Sequence, residues 1–281
     1  MFRVGFQCLV VVLTVFCSVV FSGSARAQSS EALLARELAN PIANLISVPF
    51  VTNYDDGYGT GDGYRIFTNV QPLIPIELNE DWLLLSRTII PIVWDQKDIN
   101  PLGPSGHQSG FGDISESLWL SPSQATSIGS LGNFTWGAGA VALLPTGNAD
   151  PLLGTGKWGL GPTAVGLFVK GGWTYGALTN HIWDVAGKNN RVDVNVTLVQ
   201  PFIAYTTPKA VTVALEAETT YDWVTDRWSV PINATVSKLT TIGKQAVSFE
   251  VGLRYWADNP PGAPDPGDLG YRFNVTFLFP N

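Results

Sequence analysis

Two histidines are the first residues in which to look for chemistry. His107-Gln108-Ser109 sets an imidazole and a hydroxyl two positions apart. On a strand, that spacing puts a base and a nucleophile on one face, where a further polar group must orient the imidazole. Here the triplet follows the Gly/Pro-rich stretch "NPLGPSG", and the next apolar segment carries no asparagine, so a solvated loop histidine is expected. His181 follows Asn180 close to Trp183, with no candidate nucleophile on its face, and reads as an interfacial aromatic at a strand end.

The glycine-rich stretches do no better. "DDGYGTGDG" lacks the bidentate acid that completes a calcium loop, and "DPLLGTGKWG" lacks the lysine-serine pair of a phosphate-binding loop. Cys8 and Cys17 both lie near the start of the chain, inside its first apolar run. No catalytic residue, metal-ligand set or cofactor is expected. Aspartates gather instead: Asp55, Asp56, Asp62, Asp95, Asp98, Asp150, Asp222, Asp226, Asp258, Asp265 and Asp268 are expected at the outer rim of the fold argued below. Two readings of them stay open, divalent ions bridging them to lipopolysaccharide phosphates and plain solubility.

What remains is ionic chemistry on alternating segments. In "VTVALEAETTYDW", Val211, Val213, Leu215 and Tyr221 face one way, while Thr212, Glu216, Glu218 and Thr220 face the other. In "AVSFEVGLRYW", Val247, Phe249, Val251, Leu253 and Tyr255 oppose Ser248, Glu250 and Arg254. "GYRFNVTFLFPN" sets Tyr271, Phe273, Phe277 and Phe279 against Arg272, Asn274 and Thr276. Apolar groups on one face and charges on the other are the signature of a barrel with lipid outside and a polar lumen. The expected lumen lining is Arg65, Arg87, Asp193, Glu216, Glu218, Glu250, Arg254, Arg272 and Asn274. Closing the sheet brings the four arginines, from both ends of the chain, onto one wall. Asp193, Glu216 and Glu218 are expected on the opposite wall, with Glu250 as an exception beside Arg254. Asn195, Asn233 and Asn274, each in an Asn-x-Thr triplet, are expected to wet the lumen.

The elements that must hold these residues are short. About twelve period-2 segments stand between Gly/Pro/Asn/Asp punctuation, at 42–53, 64–76, 82–94, 111–121, 134–144, 160–169, 173–183, 192–205, 211–222, 228–238, 246–256 and 270–279. Connectors alternate between tight ones, such as "KGG" and "TTIGKQ", and long ones, such as "DQKDINPLGPSGHQSGFG" and "DNPPGAPDPGDL". Short periplasmic turns alternating with long outer loops are the plan of an outer-membrane barrel, and an even count leaves both barrel ends on the periplasmic side. Trp82 with Trp94, and Trp173 with Trp183, are spaced to sit in two interfacial girdles, joined by Tyr271 and Phe279. The fold expected is all-β, a closed antiparallel transmembrane β-barrel of about twelve strands with a short N-terminal helix.

The front of the chain explains how it reaches a membrane. Arg3, the apolar run Val4 to Phe21 and Ala25-Arg26-Ala27 form a secretory signal peptide over 1–27, with cleavage before Gln28. Residues 28–41 are an N-terminal helical segment, capped by Ser30, with Leu33, Leu34 and Leu38 on one face. Inside the barrel this segment would be a plug; otherwise it is a periplasmic extension. The barrel occupies 42–281. The formal net charge of −7 falls to about −9 without Arg3 and Arg26, which excludes nucleic acid as a partner.

"NPIANLISVPF", "NVQPLIPIELNEDW", "SRTIIPIVW", "GFGDISESLWLSP", "WTYGALTNHIWDVAG" and "TTYDWVTDRWSVPIN" make the chain resemble a group of Gram-negative outer-membrane barrel proteins. The group is related to the "MetA-pathway of phenol degradation" family, and some members carry a misleading neuromedin U name. The resemblance covers nearly all of the chain beyond the signal. It implies a location in the outer membrane and passage of small molecules, hydrophobic or aromatic ones included. The last strand also resembles the signal read by the barrel-assembly machinery, although Pro280-Asn281 follows the terminal aromatic. His107-x-Ser109 resembles a pair in the outer-membrane phospholipase. The expected function is a passive, porin-like channel, not an enzyme, with outer-membrane lipid, lipopolysaccharide, the assembly machinery and a small solute as partners. The alternatives are a lipid-modifying enzyme and a plugged structural or receptor barrel.

Overall fold

The computed structural model describes residues 25–59, 63–100, 102–103, 105–260, 263–264 and 267–279. Most of the expected signal peptide, Asp62, Asp265 and Pro280-Asn281 lie outside the described residues. Twelve long strands form: β1 (Ile46–Tyr58), β2 (Gly63–Val70 and Leu73–Glu77), β3 (Trp82–Lys97), β4 (His107–Phe111 and Ile114–Pro122), β5 (Asn133–Leu144), β6 (Lys157–Lys170), β7 (Trp173–Gly187), β8 (Asn195–Thr206), β9 (Val211–Ala217 and Thr219–Asp222), β10 (Arg227–Ser229 and Pro231–Ile242), β11 (Gln245–Trp256) and β12 (Leu269–Phe279). Each pairs antiparallel with the next. β12 then closes on β1, from Ile46 opposite Phe279 to Tyr54 opposite Tyr271. Closure removes every free sheet edge, which is what a hydrocarbon environment requires of a β-structure. The interruption of β2 falls at Gln71-Pro72, where proline has no N–H for the ladder. The register between β2 and β3 shifts beside Trp94.

Alternation sets the two faces. On β12, Arg272, Thr276 and Leu278 are buried inside, while Tyr271, Phe273 and Phe279 stand exposed outside. Trp94, Trp173 and Trp183 are exposed on the outer surface, and Trp82 packs edge-on against Trp136. An aromatic and aliphatic exterior of this extent belongs against lipid.

One outward position breaks the rule. Glu116 on β4 lies opposite Thr88 on β3, and its neighbour Leu118 lies opposite Ser86. Ser86 Oγ and Thr88 Oγ1 each donate to the Glu116 carboxylate at 2.6 Å. Thr88 sits six residues from Trp82 and six from Trp94, about 15 Å from each along the barrel axis. A carboxylate therefore faces outward midway between the two tryptophans, where, among the described residues, its hydrogen bonds come from two hydroxyls. Changing Ser86 and Thr88 together to alanine should cost about 2–4 kcal/mol in reversible unfolding from lipid vesicles. Adding Glu116→Gln to that double variant should recover part of the loss; no recovery would mean the hydroxyls matter for packing alone.

The interior is divided. On the β3–β7 side it is a solid apolar core of Leu85, Trp119, Val165, Leu167 and Leu178, joined by Leu73 and Ile42. Trp119 Nε1 is satisfied by Thr163 Oγ1 at 3.0 Å. Strands here pack so closely that a Cβ on Gly176 would collide with the Gly166 carbonyl oxygen. The remaining interior, bounded by β8–β12, β1 and β2, is polar and partly open.

The helix α1 (Ala25–Leu38) differs in detail from expectation. It begins ahead of Ser30, so Ser30 is not its cap, and the expected cleavage point before Gln28 falls within it. Its buried face is Ala32 and Ala35, with Leu34 and Leu38 partly covered and Leu33 exposed. Small residues serve because the helix lies against Leu239, Ala246 and Leu278, inward positions at the end of the barrel with the short turns. Glu31 accepts a hydrogen bond from the Thr241 amide at 2.9 Å.

Candidate functional site in the barrel lumen

Above α1 the lumen holds a cavity of about 550 Å³, lined from Ala35 and Leu45 at the short-turn end to Arg254 and Trp256 at the other. Strand alternation aims the charged side chains into it. Glu216 and Glu218 come from β9, Glu250 and Arg254 from β11, Arg272 and Asn274 from β12, and Arg87 from β3.

The charges are not arrayed as two opposed walls. Arg272 Nη1 bonds Glu216, and its Nη2 donates to Glu218 Oε1 at 2.8 Å. Arg254 Nη1 donates to Glu218 Oε2 at 2.7 Å, so Glu218 bridges both guanidiniums. Arg272 Nε donates to Asn53 Oδ1 at 2.8 Å. The physical reason is barrel geometry. β9 is only two strands round from β11 and three from β12, at most about a quarter of the circumference, and long side chains span that arc. Acids and arginines expected to face each other across the lumen instead meet along one side of it.

Asp193 does not belong to this group. It precedes β8, in the connector from β7, and pairs with Lys157 Nζ at 2.7 Å, together with Asp184 at 3.1 Å. Asp55, assigned to the outer rim from sequence, is instead a lumen residue. It is 1% exposed, lies 3.4 Å from Arg254 Nε, and accepts from Trp256 Nε1 at 3.2 Å. The signal was present in the alternation Asn53, Asp55 against Phe50, Thr52 and Tyr54, but nearness to a loop hid it. Arg65 points inward, directly opposite Asp55 in register, and lies over the Phe67 ring at 4.9 Å. Asn233 is fully buried inside, near Arg254. Asn195 pairs with outward Trp183, so it faces out and does not wet the lumen.

Arg87 is set differently from its fellows. Its Nη2 donates to Gln71 Oε1 at 2.6 Å. Among the described residues no carboxylate lies within 4.0 Å of it, while Leu73, directly opposite in register, and Leu85 belong to the apolar core. Gln71 was not singled out by sequence; it sits at the Pro72 break, where alternation is interrupted.

His107 lies on β4, not in a loop, and its Nδ1 is 3.0 Å from Asp95 Oδ1 on the outside of the barrel. Ser109 shares that strand face, but among the described residues no hydrogen bond joins it to the imidazole. His181 Nδ1 meets Thr197 Oγ1 at 2.7 Å, and its ring lies tilted against Trp183, centroids 4.1 Å apart. Among the described residues no cluster of three or more acids or histidines could hold a metal ion.

No protein-family model matches the chain, so the family resemblance stands on the quoted motifs alone. No curated protein matches it either. Among solved structures, the chain is similar to the COG4313 outer membrane channel from Pseudomonas putida F1. The TM-score is 0.62 at 14% identity, covering 84% of this chain and 96% of that one. It also resembles the NanC porin (TM-score 0.49, 11% identity, 82% and 98% covered) and outer membrane phospholipase A from Escherichia coli (0.48, 11%, 82% and 95%). The first likeness establishes the fold as that of an outer-membrane β-barrel; the other two are too loose to argue from.

Proposed function

We propose that this protein is a passive outer-membrane channel for small solutes, narrowed at its periplasmic end by α1. The observation that carries the reading is the cavity of about 550 Å³ inside a closed barrel, between the helix and the Arg254–Glu218–Arg272 bridge. A barrel kept only as a scaffold has no need of an open, charged interior beside a solid apolar core. The P. putida channel of the same fold agrees with this reading. Partial filling by side chains and helix restricts passage to small molecules. Liposome swelling tests it. Vesicles carrying the folded protein should admit glycine and arabinose faster than empty vesicles and should exclude raffinose. Rates equal to those of empty vesicles for every solute would contradict the channel.

Assembly belongs to the same proposal. Phe277 and Phe279 end the closing strand on the lipid side, and the assembly machinery is the partner they fit. Phe279→Asp should lower the heat-modifiable form in outer-membrane fractions several-fold. A normal amount would remove β12 as the element recognised.

A further inference from the structure

We infer that the lumen contains a subsite for a small organic carboxylate, with Arg87 as its anchor. The inference rests on the channel reading and names the solute class that the same cavity favours.

Arg272 and Arg254 are committed, since Glu216, Glu218 and Asp55 surround them. Arg87 is not. One N–H goes to Gln71 Oε1, and none of its nitrogens is both buried and without a partner. Its remaining N–H groups therefore open onto the cavity it lines. An arginine set among apolar neighbours at membrane depth, with Glu216 and Glu218 acting on it through space and no carboxylate in direct contact among the described residues, is costly to keep. A planar fork of free N–H donors matches the two oxygens of a carboxylate.

The surroundings decide what the carboxylate is attached to. Leu178, Leu198 and Phe202 line the cavity as well and border the apolar core. Glu250 lines the same cavity from β11, three strands round from β8, with no ion-pair partner among the described residues. That acid repels an anion from its side. A solute with a carboxylate at one end and a short apolar body therefore has one favoured pose, its charge on Arg87 and its body along the leucines. A cation of equal shape is drawn toward Glu250 and away from the apolar wall. Selection comes from one uncommitted guanidinium, not from the number of arginines in the lumen.

Hexanoate is a suitable probe, with hexylammonium as the charge-reversed control. Titration calorimetry on the folded protein in detergent should show hexanoate binding at least about tenfold more tightly than hexylammonium. Arg87→Gln should weaken hexanoate by about tenfold or more, and Arg87→Lys should restore only part of it. Heat-modifiable migration confirms that each variant is folded; should Arg87→Gln fail that check, Gln71→Ala, which frees Arg87 without removing it, should still change hexanoate affinity. In planar bilayers, hexanoate should interrupt ion current through the wild type and do so less in Arg87→Gln. Equal affinity for the two probes, or hexanoate binding indifferent to Arg87, would overturn the subsite. If the barrel conducts ions in that case, the channel stands and only the subsite falls. If hexanoate binds through Arg87 but no current flows, the channel reading falls and the subsite is a binding site alone.

Discussion

Glu216→Gln combined with Glu218→Gln should turn the lumen toward anions and loosen the barrel wall in one step. Glu218 joins Arg254 to Arg272, and Glu216 takes the other arm of Arg272. Glutamine keeps the shape and removes both negative charges. Arg254 keeps Asp55, whereas Arg272 keeps only the Asn53 amide. One positive charge, that of Arg272, then stands without an ion-pair partner in a narrow space bounded by low-dielectric wall. The expected result is about a tenfold rise in the anion-to-cation permeability ratio, read from the zero-current potential in a salt gradient. Stability should fall by about 3 kcal/mol, because breaking a shielded pair costs more than the pair contributes. Arg272→Ser should move the ion preference the opposite way. If neither variant changes ion preference, the ion bridge lies off the conduction path and the cavity does not carry current.

Removing α1 should give the second large effect. The helix contributes no strand and no ladder hydrogen bond, so a chain of residues 41–281 should still refold and migrate as a heat-modifiable barrel. Its absence uncovers Leu239, Ala246 and Leu278 and clears the periplasmic mouth of the cavity. Single-channel conductance should rise roughly threefold or more, since the narrowest section sets the resistance. Arabinose entry into liposomes should rise with it. Unchanged conductance would place α1 beside the conducting path instead of within it.

The half of the barrel that alternates cleanly was legible from the sequence, and the other half less so, for a single reason. On β8–β12 the inside is polar and the outside is lipid, so period-2 contrast is maximal, as in Glu216 and Glu218 against Leu215 and Tyr221. On β3–β7 the inside is itself apolar. Leu85, Trp119, Val165, Leu167 and Leu178 face inward, while Leu84, Leu118 and Leu160 face outward, and alternation between apolar and apolar leaves little trace. Strand count and order survived because turns marked them. Azimuth did not: alternation tells which face a residue occupies, not how far around the ring it lies. Ion pairs that run along one side therefore look, in the sequence, like opposed walls. Asp193 was lost because β8 starts later than its apolar run suggested, at Asn195. Glu116 was passed over because nothing in its neighbourhood distinguishes a lipid-facing glutamate from a lumenal one until the register with Ser86 and Thr88 is known.

The most direct test of the central claim is the current through one wild-type molecule in a planar lipid bilayer. The proposed channel, a cavity inside a closed barrel narrowed by its helix and its ion bridge, predicts discrete conductance steps, small beside those of wide porins and larger in the 41–281 variant. A folded protein that inserts, yet gives no steps in either form, would show that the lumen is sealed and that the barrel is not a channel.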